Sequence, residues 1–221
     1  MIDLDAEFMA ALRAVGWDDA GTAPAQWLAA RGLDARRRLV VGGIGVLTAT
    51  LHQHARLFEA HPDGERLLIV PVLDRLVEGV IEFGEGADAE IADLVGWQPA
   101  RPDKLFTRRG EAAIVGAGGV AAAIENGLPL QIFRSVEDLV RHGGELGVAG
   151  EPLICGVHGE TTPRRSACVI LDLRAAVPLL RDVAEIVCDD LEHAEAIDRA
   201  IRASLPRAPR ISLPAPERRA A

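Results

Sequence analysis

The sequence predicts an α+β fold with a helical N-terminal lead-in, an antiparallel β-meander and a C-terminal α/β unit. Apolar residues recur at helical spacing within residues 5–15, which indicates an amphipathic helix. Apolar and polar residues alternate with a period of two around residues 47–57, which is typical of a strand with one buried face. Near the end of the chain, an apolar run at 184–188 leads directly into acidic residues and a helical pattern. These three patterns together predict the fold class.

The predicted organisation is a helical lead-in over 1–38, a meander over 39–98, an α/β portion over 99–214 packed with the meander as one domain, and a flexible tail over 215–221. In the meander, the turn sequence His61-Pro-Asp-Gly64 predicts a hairpin between strands at 56–59 and 67–73. A helix over 45–60 would bury Leu47, Leu51 and Phe58 equally well, so the alternation leaves that alternative open.

In the α/β portion, Ser135 is expected to cap a helix with Asp138 at the capping-box position, and Gly143-Gly144 to end that helix. A glycine-rich break is expected at 116–119. The other predicted elements are helices at 5–15, 24–31, 104–115, 173–182 and 193–204, and strands at 77–83, 90–97, 130–133, 153–157, 167–171, 184–188 and 211–213.

Composition limits the classes of partner. The chain has 221 residues, of which 49% are apolar and 26% charged, the balance of a globular protein. A net charge of -9 and the absence of tyrosine predict weak or indirect nucleic-acid contact, because a phosphate backbone is repelled and few rings can stack on bases. Three widely separated cysteines fit neither a disulfide framework nor a zinc site, which favours a reducing cytoplasm. We expect no signal peptide, because the N-terminus carries Asp3, Asp5 and Glu7 and has no basic region ahead of an apolar stretch. We expect no membrane contact, since no apolar run reaches about 18 residues.

The acidic residues after the run at 184–188 are the best candidates for chemistry. Asp189, Asp190 and Glu192 follow a strand, and ligands of open α/β sheets bind at the carboxyl ends of strands. Carboxylates and phosphate oxygens are ligands that Mg²⁺ prefers, so these three residues are candidate metal ligands. The alternative is that Asp189 and Asp190 only cap the helix that follows, since acids favour the positive end of a helix dipole.

Other motifs allow both a functional and a structural interpretation. The segment Gly116-Ala-Gly-Gly-Val-Ala121 fits G-x-G-x-x-A, so Gly116, Gly118 and Arg134 could bind NADP, or the glycines could simply link two short helices. Arg134 follows Gly116 by only 18 positions, which is short for a dinucleotide fold. Two further sets could be a metal cluster and a catalytic pair, or solvent-facing residues of a strand and a loop: His52, His54 and His61, and His158 with Glu160.

Two resemblances add to this picture. The stretch Glu185-Ile-Val-Cys-Asp-Asp-Leu-Glu-His-Ala194, with the return at 210–214, resembles the last α/β unit of a toprim domain, the catalytic module of primases and topoisomerases. The resemblance implies that Asp190 and Glu192 bind a metal ion. Val77-Glu-Gly-Val-Ile-Glu82 resembles the acidic strand end of that domain, which implies that Glu78 is the catalytic acid and base.

The chain departs from the toprim pattern, because Glu195 replaces the usual glycine and some 110 residues separate the two parts.

The middle of the chain, from Ala92-Asp-Leu-Val-Gly-Trp-Gln-Pro99 to Ile132-Phe-Arg-Ser135, looks like a group of bacterial proteins without an assigned activity that are met near prophage and replication genes. Together they predict a non-catalytic accessory protein with a protein partner in a replication or phage system. The rivals are a metal-dependent nucleic-acid enzyme and an NADP-binding protein.

Overall fold

The computed structural model describes residues 2–15, 23–30, 33, 43–77, 80–82, 90–146, 165–204 and 209–213, and it has the predicted α+β fold. The described helices are α1 Leu4–Val15, α2 Ala23–Ala30, α3 Ala117–Asn126, α4 Val136–Leu146, α5 Leu173–Leu180 and α6 Leu191–Ser204. The described strands are β1 Gly45–His52, β2 Leu57–Ala60, β3 Glu65–Val72, β4 Arg75–Val77, β5 Val80–Glu82, β6 Asp93–Gln98, β7 Arg101–Thr107, β8 Ile114–Val115, β9 Leu130–Phe133, β10 Ser166–Ile170, β11 Glu185–Cys188 and β12 Arg210–Ser212. Within these ranges no helix is long and apolar enough to cross a bilayer.

Five strands close into a barrel in the order β1-β2-β7-β6-β3, and the only parallel contact in it joins β2 to β7. β1 pairs with both β2 and β3, so that Ala49 faces Ala60 in one and Glu65 in the other. The turn at 61–64 therefore does not join the predicted hairpin between 56–59 and 67–73, because the strands on either side of it both pair with β1. Gly64 is required there, because a Cβ would lie 2.3 Å from the backbone carbon of Ala49.

The helix predicted over 104–115 is wrong, since β7 lies at Arg101–Thr107 and closes the barrel. Pro102 lies within β7, which pairs with β6 through a register shift at Trp97/Gln98, where a proline costs no ladder hydrogen bond. The barrel interior and helix α1 share one core cluster that includes Phe8, Phe58 and Phe106. Three aromatic rings thus anchor the lead-in helix to the barrel.

The second sheet has the order β12-β11-β9-β10-β8, in which β9 to β12 run parallel and β8 is an antiparallel edge strand. Successive residues of these strands are buried in different clusters: Phe133 packs with α4 and the barrel, whereas Ile132 packs with α3, α5 and α6. The sheet is therefore covered by α4 and the barrel on one face and by the other three helices on the opposite face.

Helix α4 begins at the predicted cap, since the backbone N–H of Asp138 donates to Ser135 Oγ at 3.0 Å. The prediction that it ends at Gly143-Gly144 is wrong, because the helix continues to Leu146. Each glycine in a helix costs about 1 kcal/mol relative to alanine. Burial of Val136, Leu139 and Val140 against the barrel offsets that cost.

Two buried polar contacts join the barrel to the α/β unit. The indole N–H of Trp97 donates to Glu137 Oε1 of α4 at 3.0 Å. The carboxylate of Asp93, which is 0% exposed, accepts from five backbone N–H groups: Leu94, Arg108, Arg109, Glu111 and Ala112. Asp93 thus shapes the segment that leads from β7 to β8, and with it the entry to the second sheet.

Candidate functional site

The predicted acidic site lies where the second sheet reverses its winding direction. β9 and β11 are parallel neighbours, but the chain leaves β9 toward α4 on the barrel face and leaves β11 toward α6 on the opposite face. In open α/β sheets, ligands bind in the crevice at such a switch point. Asp189 and Asp190 follow β11, and Glu192 lies in the first turn of α6. The sequence therefore placed its candidate residues at the correct edge of the sheet.

Asp190 caps helix α6. Its Oδ1 accepts the backbone N–H of His193 at 2.8 Å, the hydrogen bond that an N-cap residue makes to the third helical residue. Asp190 therefore caps the helix, and whether it has a further role as a metal ligand stays a prediction. Asp189 makes different contacts, described below, and Glu192 is 85% exposed at its side chain.

Arg134, the residue after β9, binds all three carboxylates. Its Nη2 donates to Asp190 Oδ1 at 2.8 Å and to Glu192 Oε2 at 3.2 Å, and its backbone N–H donates to Asp189 Oδ2 at 3.1 Å. Burial alone would lower the pKa of Arg134, but the hydrogen bonds and negative charges of Glu192 and Asp190 outweigh it, so the pKa is raised. A permanent positive charge therefore lies among the candidate metal ligands.

His193 forms a second pair within the site. Its Nδ1 lies 2.5 Å from Asp189 Oδ1, and the two side chains are 16% and 26% exposed. Burial raises the pKa of the Asp189 carboxyl, but the hydrogen bond and charge of His193, with the N–H of Arg134, bring it below its ordinary value. Asp189 therefore stays ionised and holds the imidazole in one orientation.

Neighbouring groups already occupy part of the carboxylate oxygens of this site. Mg²⁺ needs free carboxylate oxygens, usually with water or phosphate, whereas Asp189 and Asp190 each use at least one oxygen on Arg134 or His193. In the described ranges, no group of three or more His, Cys, Asp and Glu side chains is placed to hold a metal ion. Glu78 lies outside the described residues, so its approach to Asp190 and Glu192 stays a prediction.

The buried thiols beside the site are not nucleophiles. Burial, with the negative charges of Asp189 and Asp190, raises the pKa of Cys188 to about 12, although the charge of Arg134 acts in the opposite direction. Burial likewise raises the pKa of Cys168. A thiol reacts as its thiolate, which both residues lack near neutral pH.

The glycine-rich segment has a packing explanation. Gly116 caps α3 with φ of 79°, and a Cβ at Gly119 would lie 2.2 Å from the carbonyl oxygen of Ala167. The segment follows β8, an antiparallel edge strand, and not the first strand of a parallel βαβ unit as a dinucleotide site requires. Arg134, the proposed 2′-phosphate ligand, is bound to Asp190 and Glu192. The predicted link between two helices is wrong, since the glycines open a single helix.

The predicted histidine cluster is not assembled either. His54 lies in the turn after β1, the side chain of His52 lies 3.9 Å from Glu59, and His61 Nδ1 accepts the backbone N–H of Asp63 at 3.2 Å. His158 and Glu160 lie outside the described residues. The solvent-facing interpretation therefore fits His52, His54 and His61, all three of which are exposed.

Sequence reasoning missed His193 and the role of Arg134. His193 follows Asp189 by four residues, the spacing at which helical side chains meet, so this pair could have been found.

Comparison with protein-family models, with curated proteins and with solved structures gives no match. The site must therefore be judged from its geometry.

Proposed function

We propose that the chain is a non-catalytic accessory protein that acts by binding a protein partner in a phage-like DNA replication context, on a degenerate toprim-like fold. The observation that carries the non-catalytic part is the guanidinium of Arg134, which binds Asp190 and Glu192 at the strand end where a catalytic ion would be needed. The replication context is supported by the two sequence resemblances alone.

The charge balance explains why Arg134 opposes catalysis. A divalent ion at Asp190 and Glu192 would have to displace a guanidinium that is already within hydrogen-bond distance of both carboxylates. The side chains of Arg134, Asp190 and Glu192 are 36%, 49% and 85% exposed, so water screens the repulsion between a cation and the guanidinium to about 1 kcal/mol per unit charge. A cation and the guanidinium therefore compete for the same two carboxylates, and metal binding requires the Arg134 ion pairs to open.

The rival function is a divalent-metal nucleic-acid enzyme, which the position of three carboxylates at a switch point favours. It requires Asp190 and Glu192 to release Arg134 and to receive an ion, with Glu78 as acid and base. Asp190→Asn separates the two functions cleanly. Asparagine caps a helix as well as aspartate does, so this variant keeps α6 intact while it removes the charge.

The test is thermal unfolding with and without Mg²⁺ or Mn²⁺ for the wild type, Arg134→Gln and Asp190→Asn. Arg199→Gln is the matched control, since Arg199 is exposed on α6 and bonds only to the carbonyl of Glu195. We expect the metal to leave the midpoint of the wild type and of Arg199→Gln unchanged, and to raise that of Arg134→Gln, because a ligand that binds the folded state stabilises it. A rise in the wild type that disappears in Asp190→Asn would overturn the proposal. So would DNA cleavage or primer extension by the purified wild type that Asp190→Asn abolishes.

A further inference from the structure

A groove of about 880 Å³ lies between helix α1 and the barrel, remote in the fold from the acidic site. Its apolar lining comes from one side of α1, at Ala10, Ala11 and Ala14, and from Val46 and Leu47 of β1. The volume is within the range of small-molecule sites, which is about 300–1,000 Å³. Small side chains on the helix leave room where larger ones would fill the space.

Polar groups gather along one part of this groove. Thr48 of β1 and Arg66 of β3 are directly opposite in an antiparallel pair, so their side chains lie on the same side of the barrel wall. The backbone N–H of His61 donates to the carbonyl of Thr48 at 2.9 Å, which brings the histidine to the same place. All three residues line the groove.

The charge of this group is positive and unpaired. Arg66 makes no ion pair or hydrogen bond with any residue in the described part of the chain. His61 Nδ1 accepts the N–H of Asp63 at 3.2 Å, so in the neutral ring the proton lies on Nε2, which can donate. Glu7 also lines the groove, but both of its oxygens are bound by Nε of Arg108, at 2.9 and 3.2 Å. The uncompensated charge is therefore that of Arg66.

We propose that this groove binds an amphipathic carboxylate, such as a medium-chain fatty acid, with the carboxylate on Arg66 and His61 and the hydrocarbon chain along the alanines of α1. A guanidinium binds a carboxylate through two parallel hydrogen bonds, and the apolar wall removes the chain from water. The charge decides the class of ligand, because a neutral apolar molecule would leave Arg66 without a partner and a cation would be repelled by it.

The experiment is calorimetric titration of the full chain with decanoate, octanoate and decanol. Variants are Arg66→Gln, which removes the charge, and Ala10→Leu, which narrows the groove at an exposed helical position. Arg101→Gln is the matched control, since Arg101 is an exposed arginine on another strand of the same barrel and does not line the groove. Circular dichroism of each variant confirms that it is folded.

We expect decanoate to bind the wild type and Arg101→Gln equally, and Arg66→Gln about tenfold more weakly, since a charge-assisted hydrogen bond is worth about that factor. Octanoate, which has two methylenes fewer than decanoate, should bind up to about fifteenfold more weakly. Ala10→Leu should weaken both acids. The proposal is overturned if decanoate gives no heat in a folded wild type, if decanol binds as tightly as decanoate, or if Arg66→Gln binds decanoate as well as Arg101→Gln does.

Discussion

Asp93→Asn should destabilise the protein strongly, although it changes only one atom. Oδ1 accepts the N–H groups of Leu94, Arg108 and Arg109 at 2.8–3.0 Å, and Oδ2 accepts those of Glu111 and Ala112 at 2.8 and 2.9 Å. An asparagine has one acceptor oxygen and one NH₂ group. Whichever way the amide is turned, at least two backbone N–H groups then face a donor.

Each buried donor left without an acceptor costs about 1–3 kcal/mol, so the substitution should lower the free energy of unfolding by about 2–6 kcal/mol. That is a large share of the about 5–15 kcal/mol of a typical domain. Urea unfolding followed by tryptophan fluorescence and by circular dichroism measures the change as a shift of the midpoint at constant slope. Asp172→Asn is the control, because Asp172 caps α5 through a single bond to Ala175 at 3.2 Å and asparagine caps equally well. A loss below about 1 kcal/mol for Asp93→Asn would refute the reasoning.

Three further predictions concern the second sheet. Gly119→Ala should lower the free energy of unfolding by about 1–3 kcal/mol, since the new Cβ would lie 2.2 Å from the carbonyl oxygen of Ala167. Gly118→Ala has open space around the new Cβ and should raise the free energy of unfolding by about 0.5–1 kcal/mol. Urea unfolding of both variants checks this contrast. Cys188, with its pKa raised to about 12, should resist iodoacetamide at about pH 8 in the native protein and react only in urea, as peptide mass mapping would show. The pKa of Asp189 is lower in the folded protein than in the unfolded chain, where it is about 3.9. Its contribution to stability is therefore complete above about pH 4 and is lost as the pH falls through the folded pKa. The urea midpoint of Asp189→Asn should accordingly fall less steeply below about pH 4 than that of the wild type.

Local patterns were sufficient for much of the fold. Three predicted features depend only on neighbours within four residues, and the structure contains each of them. The apolar run at 184–188 with its acidic cap is β11 followed by α6. Ser135 caps α4, and the alternating segment forms β1. Capping and period-two patterning act over such short distances, so the sequence displays them directly.

The errors concern contacts that are remote in sequence. β7 is a strand because β6 and β2 pair with it on either side, and β2 lies some 45 residues earlier. The residues 104–107 have no strong alternation of their own, so their helical appearance was overridden by the barrel. In the same way, β2 and β3 do not form the predicted hairpin because each pairs with β1, which the turn sequence at 61–64 does not reveal.

Arg134 is the clearest example, because its partners follow it by 55–58 residues and meet it only through the pairing of β9 with β11. Its ion pairs add little to stability, since the side chains of Asp190 and Glu192 are 49% and 85% exposed and exposed pairs contribute about 0–1 kcal/mol. Arg134 thus adds little to stability, but its side chain occupies the strand end at the switch point. It therefore affects mainly what can bind at that strand end. The guanidinium of Arg134 repels a divalent cation, and it does so without disturbing the contact between Asp189 and His193. The contacts of Arg134 therefore bear more on what can bind at this strand end than on the free energy of folding.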